Sequence, residues 1–223
     1  MMSLDLAAPA GRPLSVLAIG AHPDDIEIGA GGLLLTLAAS QPGLTVRYVL
    51  LTGTASRQLE ARAAARAFLP AVQPDISLHD LPEGRLPGVW GQVKDIVEAE
   101  VRSCVPDLVV APSAADAHQD HATIGEIIPT VCRDALYLAY EIPKWDGDLG
   151  RPSVYVPLAR KTVERKVELL HKCFPSQSER DWWDDEVYLG LARLRGMECR
   201  APYAEAFSCT KLVLAPRSLR GDP

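Results

Sequence analysis

Short apolar runs rich in β-branched residues alternate along this chain with stretches of helical spacing, and that alternation restricts its fold more than any other feature. A strand buried on both faces and followed by a helix closes most simply by crossing over to a parallel neighbour, so the pattern predicts a layered α/β domain. Residues 14–20 (LSVLAIG), 45–52 (TVRYVLLT), 76–81 and 107–111 (DLVVA) read as strands. Helices are predicted between and after them, over 28–39, 56–69, 90–103 and 123–138. The regularity then decays. Residues 141–157 (EIPKWDGDLGRPSVYVP) carry three Pro and two Gly and read as a long surface loop containing a short strand, SVYV. Helices over 163–173 and 185–195 and a last strand over 206–214 complete the pattern.

The length of 223 residues fits one domain and leaves no room for two substantial ones. The expectation is therefore a Rossmann-like single α/β domain over 13–215, a mostly parallel β-sheet with helices on both faces. A loosely packed N-terminus (1–12) and a frayed tail (216–223) flank it. A core of this size needs no structural metal or disulfide, so a metal site here would serve chemistry. The net charge of −6 argues against nucleic acid and gives no attraction to an anionic membrane. Five scattered cysteines with no CxxC pair read as reduced thiols. MMSLDLAAPAGRP lacks a basic stretch leading into an apolar run, so it does not read as a signal peptide, and the expected location is cytoplasmic. The spacing is silent on assembly, and a homo-oligomer stays open.

In open parallel sheets, ligands bind where strands run out into the loops that lead to helices. Two such loops concentrate polar chemistry. Ala21-His22-Pro23-Asp24-Asp25-Ile26-Glu27 follows the first strand, and Asp116-Ala117-His118-Gln119-Asp120-His121 follows the fourth. His22 and Asp25, three apart, can aim at one point, and a third ligand from the second loop would complete a His₂Asp set. Such a set leaves a coordination position for water, the pattern of catalytic zinc. The competing reading is that HPDD merely caps a helix, since Asp at an N-terminus accepts backbone N–H bonds. Two loops of this kind at the same sheet end favour chemistry. His79 and His171 lack such surroundings and read as polar or packing residues.

Ala21-His22-Pro23-Asp24-Asp25 with Glu27 resembles the AHPDDxE signature of the PIG-L/LmbE-type deacetylases, and His118-Gln119-Asp120-His121 resembles their HxDH partner. That resemblance implies a metal-dependent enzyme, usually a zinc one, that removes acetyl groups from N-acetylglucosamine-type sugars. Members of that family serve GPI-anchor, mycothiol and bacillithiol synthesis and the tailoring of glycosylated antibiotics. Carried over residue by residue, it implies His22, Asp25 and His121 as metal ligands and Asp24 as general base. It implies His118 as the imidazole that stabilises the oxyanion or protonates the leaving amine, and Asp120 as the carboxylate that orients a histidine. Zn²⁺ is the implied cofactor, although a His₂Asp set also accepts Fe²⁺ or another divalent ion. The implied partner is a small-molecule amino sugar, sugar conjugate or nucleotide sugar. The alternative is a metallohydrolase of a different amide or a phosphoester on the same scaffold.

Substrate-binding residues are read from weaker signals. Arg57, in an RxxE pattern with Glu60, either contacts substrate or forms an exposed helix pair. Where the family's loop after the second strand often continues with acidic and glycine residues, this chain has Thr54 and Ala55. Glu83 stands where an aspartate of the family binds a sugar hydroxyl, with Asp80 as a competitor and Gly84 marking a turn. Tyr140 and Trp145 lie in a stretch suited to sugar recognition, because rings stack on sugar faces, although Trp145 could equally anchor its loop. Gln177, in a Ser-Gln pair like the family's, is a further candidate. Glu205, in a YAExF-like element, reads as a supporting carboxylate, with Tyr203 and Phe207 in the core. Trp182 and Trp183 read as an interface or as an anchor at a helix start.

Overall fold

The computed structural model describes residues 2–9 and 11–214. Its elements run β1 (Ser15–Gly20), α1 (Asp25–Ser40), β2 (Thr45–Thr52), α2 (Ala55–Phe68) and β3 (Asp75–Leu81). These are followed by α3 (Trp90–Cys104), β4 (Leu108–Pro112), α4 (Gln119–Val131) and β5 (Leu136–Tyr140). The chain ends in β6 (Val154–Leu158), α5 (Arg160–Cys173), α6 (Asp185–Cys199) and β7 (Tyr203–Ser208). Seven strands form one sheet in the order β3-β2-β1-β4-β5-β7-β6. The first five are parallel, and β7 runs antiparallel between β5 and β6. The strand order reverses between β1 and β4, which makes the loops after those two strands neighbours at one sheet end.

Strand β1 is buried along its whole length, and its alternate residues feed two different cores. Val16 and Ala18 pack with α1, α2 and α5 on one face, while Leu17 and Ile19 pack with α3 and α4 on the other. Helices on both faces follow directly from that two-sided burial.

Sequence spacing runs one helix across residues 123–138, but the chain divides there into α4 and β5. Pro129 lies inside α4 and cannot donate to the carbonyl four residues back, and α4 stops at Val131. The run that follows pairs in parallel with β4, from Leu108 opposite Leu136 to Pro112 opposite Tyr140. The last strand is shifted too. It spans Tyr203–Ser208, because its partners on β6, Val154 to Leu158, end opposite Phe207 and Tyr203. Residues 209–214 carry no strand, and the tail from 216 lies outside the described residues. In the N-terminal segment, Arg12 pairs with Asp107 at the entry to β4.

Helix α1 approaches its neighbours closely. A Cβ on Gly29 would lie 2.4 Å from the ring of Tyr140, and one on Gly125 of α4 would lie 2.2 Å from the backbone N of Ala114. Both glycines let a helix sit directly against its neighbour. Midway along α1, Glu205 of β7 accepts the N–H groups of Gly32 and Leu33 at 2.6 and 2.7 Å. Lys166 of α5 bridges Glu205 and the Ile28 carbonyl at 2.6 and 2.7 Å. Glu205 thus supports the helix at mid-length and does not touch the candidate ligands. No helix among the described residues is long and apolar enough to cross a membrane.

Candidate active site

The loops after β1 and β4 bring His22, Asp25 and His121 together. His22 Nδ1 lies 3.2 Å from His121 Nε2 and 3.5 Å from Asp25 Oδ2, and His121 Nε2 lies 3.2 Å from the same Oδ2. A tetrahedral ion with bonds of about 2.0–2.1 Å requires ligand atoms about 3.3–3.4 Å apart, so these three atoms outline one face of such a site. His118 joins them more loosely: ligand atoms of His22, His118 and His121 lie within 4.8 Å of one another. The donor chemistry fits a divalent cation, because two imidazoles and one carboxylate oxygen converge on a single point in a buried pocket floor.

The electrostatics point the same way. Burial opposes protonation of His22, but Asp25 and Asp120 outweigh it and lift the ring to about 10. His121 is likewise opposed by burial and lifted, by Asp25 and Asp116, to about 9. Burial also works against ionisation of Asp25, yet His121 and His22 hold its carboxyl well below the usual range. The site favours concentrated positive charge at the place where the two ring nitrogens face each other.

Asp24 does not cap α1. It occupies the N-cap position at a left-handed φ of 106°, with no side-chain cap bond, a conformation that costs a non-glycine residue about 1–3 kcal/mol. Asp25 performs the local bonding instead, accepting from Ala21 N at 2.9 Å and His22 N at 2.8 Å. Asp24 is left to face the pocket with Arg57 Nη2 3.1 Å from its Oδ2. Burial and the neighbouring Asp25 push Asp24 up to about 7, against the pull of Arg57. Asp120 is fully buried behind the pocket, 3.1 Å from His22 Nε2, and accepts from Gly84 N at 2.6 Å and Leu86 N at 3.0 Å. His118 caps α4, its Nδ1 accepting from Asp120 N at 3.2 Å, which puts the proton of the neutral ring on Nε2. Burial, with His121 and His22, lowers His118.

The chain belongs to the PIG-L family.

It matches that family, described as GlcNAc-PI de-N-acetylase, over residues 17–132, which contain both histidine loops. It is 31% identical over 148 residues to the uncharacterized deacetylase YaiS of Escherichia coli K12, covering 62% of this chain and 79% of that protein. Two solved structures share the fold. The conserved protein TT1542 of Thermus thermophilus superposes with a TM-score of 0.74 at 23% identity, covering 91% of this chain and 97% of that one. N,N'-diacetylchitobiose deacetylase of Pyrococcus horikoshii superposes with a TM-score of 0.71 at 22% identity, covering 92% and 87%. The protein thus has the single α/β fold seen in these structures.

Of the residues singled out in the sequence, His22, Asp24, Asp25, Arg57, Glu83, His118, His121, Trp145 and Gln177 line one pocket of about 280 Å³. Tyr140 does not. It ends β5, is wholly buried, and donates its hydroxyl to the Ile19 carbonyl at 2.8 Å, so it is a core residue beneath the site and no substrate contact. Arg57 and Glu60 do not pair: Arg57 bonds Asp24 and the Pro23 carbonyl, while Glu60 accepts from Ser176 N and Oγ at 2.9 and 2.6 Å. Glu83 lies 3.7 Å from Arg57, and Asp80 is exposed away from the pocket. Trp182 lines the pocket with Arg180, whereas Trp183 is buried beside Phe174 and Tyr188. Sequence reasoning gave no role to Arg180, Lys144 or Asp116. Asp116 carried one usable signal, a carboxylate close to a ligating histidine, since such histidines usually pair with one.

Proposed function

We propose that this PIG-L-family protein is a zinc-dependent hydrolase that removes an acetyl or related acyl group from the amide nitrogen of an N-acetylated amino sugar, sugar conjugate or nucleotide sugar. The observation that carries the reading is the triangle of His22 Nδ1, Asp25 Oδ2 and His121 Nε2, with edges of 3.2–3.5 Å, beside an Asp24 carboxylate free of capping. These three atoms would hold the ion. Bound there, zinc would supply water made acidic enough to attack at neutral pH and polarise the amide carbonyl.

The chain's own groups divide the proton work. Asp24, lifted to about 7, is poised to take a proton from water and pass it to the amine nitrogen, which leaves only when protonated. Arg57 aims that carboxylate through Nη2. His118, neutral with its proton on Nε2, donates a hydrogen bond to the carbonyl oxygen as negative charge grows there. Asp120 engages His22 Nε2 and so leaves Nδ1 as the nitrogen that would ligate an ion. Trp145, 79% exposed on the pocket rim, offers a ring face to a sugar, and Glu83 and Gln177 offer partners for hydroxyls. The pocket volume sits near the low end of small-ligand sites, roughly 300–1,000 Å³, which suits a single sugar ring and its acyl arm.

The test combines metal analysis of purified protein with amine release across N-acetylglucosamine conjugates. One zinc per chain, lost in His22→Ala together with amine release, is the expected result. A protein that binds no divalent ion overturns the proposal; bound zinc with phosphoester cleavage and no amine release overturns its substrate.

A further inference from the structure

A group of charged residues joins the segment between β5 and β6 to the metal-site loop. Lys144 Nζ lies 2.9 Å from Asp116 Oδ2 and 2.9 Å from Asp148 Oδ2, and donates to the Ile142 carbonyl at 3.2 Å. Asp148 also accepts from Ala117 N at 2.7 Å, and Asp116 Oδ1 from His118 N at 2.8 Å. The side chains of Asp116, Lys144 and Asp148 are only 3%, 15% and 14% exposed. Asp116 Oδ2 stands 3.1 Å from His121 Nδ1, off the line of the ring N–H, so this buried nitrogen has no hydrogen bond but has a carboxylate within reach. The residue after Lys144 is Trp145, which overhangs the pocket.

We propose that Asp116 and Lys144 form a clasp that positions two things together: the ring of His121 and the loop that carries Trp145 over the pocket. The inference builds on the metal site proposed above. Asp116 is the carboxylate that completes His121, fixing which ring nitrogen is free to ligate. Lys144 draws the loop down onto that carboxylate, and Asp148 shares the ammonium and ties the loop a second time at Ala117. An ammonium this little hydrated stays put only while its carboxylates hold it, so the wall of the pocket and the His121 ring both depend on the Asp116 carboxylate. Both are positioning residues; neither faces the scissile bond.

Zinc alone is the probe for the ligand half, titrated into apoprotein against a chromophoric chelator. Asp116→Asn should weaken zinc affinity about 10–100-fold, the range typical for losing a ligand's carboxylate partner. Acrylamide quenching is the probe for the loop half, read as the part of tryptophan emission that Trp145→Phe removes. Lys144→Met should make that emission more quenchable, and Lys144→Arg should restore the wild-type value. A merely structural lysine would lower the melting temperature without this local signal. Wild-type zinc affinity in Asp116→Asn, or unchanged quenching in folded Lys144→Met, overturns the clasp. Should Lys144→Met fail to fold, Asp148→Asn, which removes one of the two ties, carries the same quenching prediction. If the wild-type protein binds no divalent ion, the metal reading falls, and the quenching arm still decides whether the loop is held by Lys144.

Discussion

Helix α1 carries buried charge in two places, and they behave differently. At mid-helix, Lys166 and Glu205 are 9% and 5% exposed, and Glu205 accepts two backbone N–H groups while the ammonium bridges it to a backbone carbonyl. Each charge has its counter-charge, and no atom of the pair is left waiting. At the N-terminal end, two imidazole nitrogens face each other at 3.2 Å with a carboxylate oxygen 3.2–3.5 Å from both. Buried ions are tolerated where they are paired, so the first group holds the fold. The second sets three ligand-type atoms around one point, the arrangement proposed above to hold an ion. Burial and charge are alike in the two groups; what differs is that the first pairs off and the second converges.

Three substitutions and one titration would break or sharpen this contrast. The largest effect belongs to Asp24→Asn, which keeps the left-handed backbone accessible but removes the proposed base: turnover in an amine-release assay should fall about 10²–10⁴-fold with zinc content unchanged. Near-normal turnover would remove Asp24 from the chemistry. Next, Lys166→Met leaves Glu205 charged and unpaired and should cost about 3–5 kcal/mol in denaturant unfolding, while zinc still binds the folded fraction. A loss of zinc binding in folded protein would show that the two charged groups are not separate. Asp120→Asn should weaken zinc about 10–100-fold by freeing the His22 ring, measured by chelator competition; an unchanged affinity would make Asp120 a loop anchor only.

The smallest effect is a proton count. With His22 lifted to about 10 and His121 to about 9, both above their ordinary value, the apoprotein holds protons at pH 7 that must leave when the nitrogens become ligands. Zinc binding should therefore release protons at pH 7, seen as a calorimetric enthalpy that varies with the ionisation heat of the buffer. Affinity should rise with pH until about pH 9–10. An enthalpy independent of buffer would mean that the rings are already neutral.

Much of this was legible in the chain. The two histidine loops were found because each follows a buried strand, and the position of a loop in a parallel sheet is set by which strands precede it. The division of labour between Asp24 and Asp25 rested on family likeness, since both carboxylates have equal claims to capping. What separates them is a backbone angle, φ 106° at Asp24, which spacing does not encode.

Tyr140 and Lys144 show the limit most clearly. Four residues apart, they read as one polar-aromatic stretch, yet one ends a buried strand and the other reaches Asp116 across a loop. Pairing of β5 with β4 decides where the strand stops, and that is a contact between residues far apart in the chain. By itself the amino-acid order determined the alternating architecture and the two histidine-bearing loops, because buried strands and donor-rich turns leave local patterns. Only the tertiary structure decided which carboxylate lies beside which histidine, and that the loop carrying Trp145 is bonded to Asp116 and Ala117, because those partners meet through folding and not through spacing.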